Sequence, residues 1–453
     1  MSRPSHTLPA PLDAAPVPEV INHTPWPSQY FQHIDPQGEV FHVMVCRLTY
    51  SLSQFDCGQG ELPVPLLLAP EAQAPLCTAD RFTGEANASS VIEESDFAPY
   101  KPKCDVLLVN AIAYPPGGKP MRRWPVGFRL GDAITKTLQV TGPRRMGLLG
   151  PSEPEAIDQV PIRYELAFGG PNLIAQSLAL DAYANPPTRN AQPDRLIEAR
   201  AEVAREVGAK LPPFYTPNPI GCGRQGKAIM EANVALAKIE GAVLTAEQQR
   251  ALEGIARSTP KPAPQIEAFD RSYQGQEDGY PVVGLGPVGR WWQPRVALAG
   301  THDAHWKRTQ WPKSPLDHDY RYWNCAPEDQ QIDYPQGGED FALVNLTPRA
   351  APDGGPVRFA LPTQDLQLLV RLNVGVLMFA PMHIDTVIVD FHAGTLTIVR
   401  RATLSARTDV RQLELGAWPA GTAMELDDEL RELAKGKQGA AKPAKPPMGA
   451  PRG

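Results

Sequence analysis

The chain lacks most of the signals that announce a chemistry. Its six cysteines, Cys46, Cys57, Cys77, Cys104, Cys222 and Cys325, contain no C-x-x-C pair, so no zinc or dithiol motif is spelled out. They read as reduced packing thiols. Excess positive charge is missing too: 44 Lys and Arg against 50 Asp and Glu give a net charge of -6. A phosphate backbone would be repelled, which argues against nucleic acid as a partner. Long apolar runs are absent. The most apolar region, 366–389, is interrupted by Arg371, Asn373, Pro381, His383 and Asp385 and does not suit a bilayer. Residues 1–20, rich in Pro and Ala, carry no apolar core run and read as a flexible arm rather than a signal peptide. The reading is a cytoplasmic protein that does not engage membranes. No Gly-x-Ser-x-Gly elbow occurs.

What is abundant is proline, 50 residues in 453, about twice the roughly 5% that is typical. Proline breaks helices and central strands, so many short elements joined by stiff loops are expected. The strand signals are nevertheless clear. Phe41–Leu52 (FHVMVCRLTYSL) and Asp105–Tyr114 (DVLLVNAIAY) are apolar on both faces, as buried strands are. Val126, Phe128 and Leu130 alternate with Gly127 and Arg129. Ile162, Tyr164, Leu166 and Phe168 alternate in the same way, which predicts a half-buried strand. Thr386–Asp390 and Thr395–Val399 flank Phe391-His392-Ala393-Gly394 as a hairpin.

Between them the pattern turns helical. Asp194 caps a stretch to about Val207, a second runs from Lys227 to Glu240, and a third starts at Thr245 with Gln248 three residues on. The expected class is α+β, mainly β: antiparallel sheets in a sandwich-like framework with an inserted helical segment. Its parts are the arm 1–20, a β-rich region 21–170, a helical insertion 171–265, a second β-rich region 266–432 and a disordered tail 433–453.

Five patterns suggest chemistry or binding. Gly221-Cys-Gly-Arg-Gln-Gly-Lys227-Ala228 approaches a phosphate-binding loop, but Pro212–Pro219 cannot form the strand before it. Ala228 also lacks the hydroxyl that would hold magnesium. A glycine-rich turn accounts for it. Gly284-Leu-Gly286-Pro-Val-Gly289 fits the dinucleotide fingerprint only by letters, because Arg290-Trp291-Trp292-Gln293-Pro294 follows instead of a helix. His302, His305 and His318 with Asp303, Asp317 and Asp319 form the one metal-like grouping, in a proline-broken stretch that does not orient a pair. Glu93-Glu94 reads as a solvated face. Finally, five of eight tryptophans fall between Trp291 and Trp323. Tryptophan serves cores and binding hot spots alike, so part of this cluster is expected to meet a partner.

The same region carries a resemblance. Residues 281–331 (PVVGLGPVGRWWQPRVALAGTHDAHWKRTQWPKSPLDHDYRYWNCAPEDQQ) and 337–348 (GGEDFALVNLTP) resemble the bacterial domain-of-unknown-function family 2169. So do Asn22-His-Thr-Pro25, Trp124–Phe128, Tyr164–Gly170 (YELAFGG), Asn218–Gly223 (NPIGCG) and His383–Asp390, in matching order across 21–402. The resemblance implies an adaptor or chaperone that binds a type VI secretion effector and promotes its stability or its loading onto the spike. It implies no cofactor and no catalytic residue. It stresses Asp303 and Trp306 over the histidines, and with the aromatic cluster it gives Trp291, Trp292, Arg295, Asp303, Trp306 and Trp311 as candidate partner contacts. Two departures stand out. Val399-Arg400-Arg401-Ala402 lacks the aromatic expected before Arg401, which points to an altered partner surface, and 227–257 is longer than a typical member needs. The alternative function is a metal-dependent or hydrolytic enzyme using His302, His305 and Asp303.

Overall fold

The computed structural model describes residues 16–56, 62–147, 150–171, 214–223, 262–276, 279–348 and 355–418. The helices expected in 194–257, residues 1–15 of the expected arm and the tail from 433 lie outside the described residues. The protein is strand-rich, and the one α-helix among the described residues is Ala304–Thr309. No described helix is long and apolar enough to cross a membrane.

The backbone of the fold is a seven-stranded sheet. Its long central strand, Val40–Asp56, pairs antiparallel with Ser28–Ile34 on one side and Thr395–Ser405 on the other. The hairpin partner His383–Asp390 follows, then Cys104–Val109 in parallel, then Gln331–Ile332, while Val64–Leu67 pairs with the far end of the central strand as the seventh. The expected hairpin is present, with its four-residue turn at 391–394. Asp390 Oδ1 closes that turn by accepting from the amides of His392 and Ala393 at 2.9 and 3.1 Å.

A five-stranded sheet holds Arg123–Leu130 and Ile134–Thr141 with Ile266–Ala268, Asp340–Val344 and Val357–Ala360. A four-stranded sheet runs in the order Glu19–Asn22, Val410–Gly416, Gln367–Leu372, Leu377–Pro381. Residues 19–20 of the expected arm therefore belong to a strand, paired parallel with Gln412–Leu415. The regions before 171 and after 265 do not fold apart, since both of the larger sheets interleave them. All three sheets feed one core, including Leu48, Val106, Phe128, Leu138, Phe341, Val370, Val387 and Leu413.

The central strands look apolar on both faces because both faces are covered. Met44, Cys46 and Leu48 face the shared core. The opposite face carries Val45, Arg47, Thr397, Arg401, Thr386 and Asp105, and all of these are buried as well. Charges survive there only as neighbours. Arg401 pairs with Asp385 at 2.5 Å and donates to the Asp96 carbonyl at 2.8 Å. Arg400 and Arg401 therefore lie inside the fold, not on a partner surface, and their strand, expected over Thr395–Val399, continues to Ser405.

Two other expectations change. Ile162–Phe168 is not a strand: Tyr164–Leu166 is a single 3-10 turn that follows the short Val160–Pro161 pairing. Its apolar residues go inward because the turn packs against the Asn218–Gly223 loop. Asn218 is fully buried and donates to the carbonyls of Tyr164 and Phe168 at 3.1 and 2.9 Å. Gly169 and Gly221 cross so closely that a Cβ on Gly221 would lie 2.5 Å from the Gly169 backbone. Gly221 and Gly223 thus serve a backbone crossing, as a glycine-rich turn does, and the remainder of the loop-like motif falls outside the described residues. Asp105–Tyr114 also stops earlier than its composition suggests, at Asn110, whose φ of 54° ends the strand.

Candidate partner-binding surface

Residues 279–330 form an arm of turns, short 3-10 segments and the Ala304–Thr309 helix, laid across the polar face of the seven-stranded sheet. What anchors it is charge. Asp105 is fully buried at the start of its strand and accepts from Lys101 Nζ at 2.8 Å, Asn324 Nδ2 at 3.1 Å and the amides of Cys325 and Ala326 at 3.0 Å. Burial would raise its carboxyl pKa, but the Lys101 ammonium and these amides outweigh burial and hold it below the ordinary value. Glu93 and Glu94 supply the second anchor. They are not a solvated face: Glu93 lies between Arg47 and Arg81, and Glu94 takes both Arg295 and Arg290.

This arrangement decides the fate of the candidate residues. Arg295 is buried, with its guanidinium spent on Glu94, the Val288 and Tyr322 carbonyls and the Tyr322 ring. Trp292 is fully buried and meets the Tyr164 ring edge-on at 5.0 Å. Neither side chain is presented to a partner. The reason is local geometry: Trp291 and Trp292 sit in a turn before the Arg295–Ala299 3-10 segment, not on a strand. Trp291 is half-buried against Phe82.

Asp303 caps the Ala304–Thr309 helix by accepting from the Trp306 amide at 2.7 Å. Trp306 is half-buried and donates its indole N–H to the Lys313 carbonyl, with His302 against its ring at 4.6 Å. Trp311 remains exposed, along with Val296 and Leu316 of the same arm. His302 and His305 are exposed, Asp317 accepts from Thr301, and Asp319 caps the Tyr320–Trp323 turn. Among the described residues no three metal-capable side chains come together.

Beside the arm opens a cleft of about 700 Å3 that no sequence motif announced. Its floor is the end of the Cys104–Val109 strand and the following turn, Leu108 to Ile112. One wall holds Leu343, Val357 and Phe359 from the five-stranded sheet with Leu346 just beyond it, and Leu52, Phe55 and Phe391 line the other. Ile162, Tyr164 and the Gly284-Leu285-Gly286 turn close the remaining side. Gly284 is required there, because a Cβ would meet the Tyr164 ring at 2.5 Å. The dinucleotide-like glycines thus serve packing. Among the described residues the lining contains no Asp, Glu or Lys; Arg163 and His392, both exposed, are its basic members, and Tyr114 and Tyr164 add two phenols. Such a surface accepts apolar groups and offers no carboxylate for acid–base work. Only the left-handed Asn110 hints at it in the sequence, as the residue that turns the chain out of the sheet.

The cysteines are no better placed for chemistry: Cys46, Cys77, Cys104 and Cys325 are buried and free, and burial pushes the Cys46 and Cys77 thiols up to about 12.

Sheets around one core, a charge-anchored arm and an apolar cleft define a strand-rich scaffold. The chain belongs to the bacterial family described as "Uncharacterized protein conserved in bacteria (DUF2169)", whose model matches residues 38–401. Asn22–Pro25 precedes the matched span. No curated protein and no solved structure matches the chain.

Proposed function

We propose that this protein is an adaptor or chaperone that binds a type VI secretion effector and helps to stabilise it or load it onto the spike. The observation that carries this reading is the cleft of about 700 Å3, apolar and free of carboxylates among its described lining residues, on a framework braced by buried ion pairs. A chaperone must cover apolar surface that its client exposes, and must keep its own binding surface in shape when empty. Exposed Trp311, Val296 and Leu316 extend the apolar area available on the arm. The family resemblance supplies the secretion context.

The test is co-expression with a type VI effector from the same genome, beginning with any encoded beside this gene. Soluble effector should rise several-fold with the intact chain and fall back with Ile112→Arg, which places a charge in the cleft. Equal yields with and without the chain would refute the reading.

A further inference from the structure

Among the described residues, the four-stranded sheet ends in a strand with no hydrogen-bonded neighbour on its outer side. Leu377–Pro381 pairs with Gln367–Leu372 and has no second neighbour among the described residues. The Leu372 amide donates to the Val376 carbonyl at 2.9 Å, so the 372:376 pair is hydrogen-bonded. Antiparallel pairs alternate, which makes 371:377 and 369:379 the non-bonded pairs. The N–H and C=O groups of Leu377 and Phe379 therefore point away from the sheet.

Edges of this kind are normally protected by charge or by early proline. Here Leu372–Met382 contains no Asp, Glu, Lys or Arg, and the one proline comes at the strand's last residue, 381. Val376 and Met378 share one face at a spacing of two and are 42% and 39% exposed, and Val374 in the adjoining turn is 75% exposed.

We propose that the occupant of this edge is a second copy of the chain, with the two Leu377–Pro381 strands pairing antiparallel about a two-fold axis through Met378. The edge is complementary to itself in that register. Leu377 and Phe379 of one copy exchange both hydrogen bonds with Phe379 and Leu377 of the other, and Pro381, which has no N–H, is not needed. Val376 and Met378 of both copies form one apolar stripe. The charge-free run brings no like charges together, and an isologous contact of this kind closes as a dimer. The inference is independent of the effector reading.

The register gives the test. Met378 meets Met378 of the other copy in a non-bonded pair, where Cα atoms lie about 4.5 Å apart, within disulfide reach. Val376 lies opposite Ala380 instead. Full-length Met378→Cys should cross-link under mild oxidation to a species of twice the chain mass, at least five-fold more than Val376→Cys or the wild type. In sedimentation velocity the wild type should show a concentration-dependent dimer, which Met378→Lys weakens at least ten-fold. A wild type that stays monomeric across the micromolar range would overturn the proposal. So would a dimer indifferent to Met378→Lys, or a Val376→Cys variant that cross-links as readily as Met378→Cys.

Discussion

Arg295 grips Glu94 with two hydrogen bonds, of 2.5 and 2.7 Å, between side chains that are only 6% and 7% exposed. The two residues are about two hundred positions apart, and their pairing fixes the tryptophan-rich arm to the strand-rich body. A buried charge left alone is costly, whereas a buried pair replaced together is not. Arg295→Ala leaves Glu94 with only its 3.2 Å contact to Arg290 and should therefore cost about 3 kcal/mol in urea unfolding. Combining Glu94→Leu with Arg295→Met should be clearly less damaging than Arg295→Ala alone, although the Val288 and Tyr322 carbonyls still lose a donor. Near-zero destabilisation by Arg295→Ala would remove this anchor from the account.

The two kinds of tryptophan in the arm should separate cleanly. Trp292 is fully buried, and Trp292→Ala should lower stability by about 3–5 kcal/mol. Trp311 is 52% exposed, so Trp311→Ala should stay within about 0.5 kcal/mol of wild type. Thermal melts of both variants check this. If the client touches the arm, Trp311→Ala weakens its binding without touching the melt.

Acid should find a specific weak point at His33. Burial, reinforced by His318 and opposed by Asp35, brings its pKa down from 6.5 to about 4. Between those values the unfolded chain binds a proton that the folded chain does not. Stability therefore falls as pH falls from 6.5 towards 4, and this contribution flattens below 4. Allowing for partial exposure of the ring, the loss is about 2 kcal/mol. Unfolding of wild type and His33→Gln across pH 4–7 should show the slope in the first and a shallower one in the second. Parallel curves would place the acid sensitivity elsewhere.

How much of this was readable in the residues follows from how local each feature is. The Val40–Asp56 strand and the 383–405 hairpin announced themselves because both sheet faces are covered, so their apolar runs are continuous. The buried charges did not. Glu93, Glu94 and Arg401 look like surface residues until partners from distant segments arrive, and an isolated sequence does not say which carboxylate meets which guanidinium. The alternation at 162–168 was real as burial but false as a strand, since a 3-10 turn packed on Asn218 turns the same residues inward. The cleft was the least legible feature. It is assembled from the ends of several strands and turns, so no local spacing encodes it.

The central claim, that the chain serves one secreted client, is tested most directly by secretion itself. Remove the gene from a strain with an active type VI apparatus, and follow the neighbouring effector and the tube protein in the medium. The account predicts that the effector disappears while tube protein is released as before, and that the intact gene restores export whereas Ile112→Arg does not. Effector export that persists without the gene would contradict the account, as would tube protein lost together with the effector.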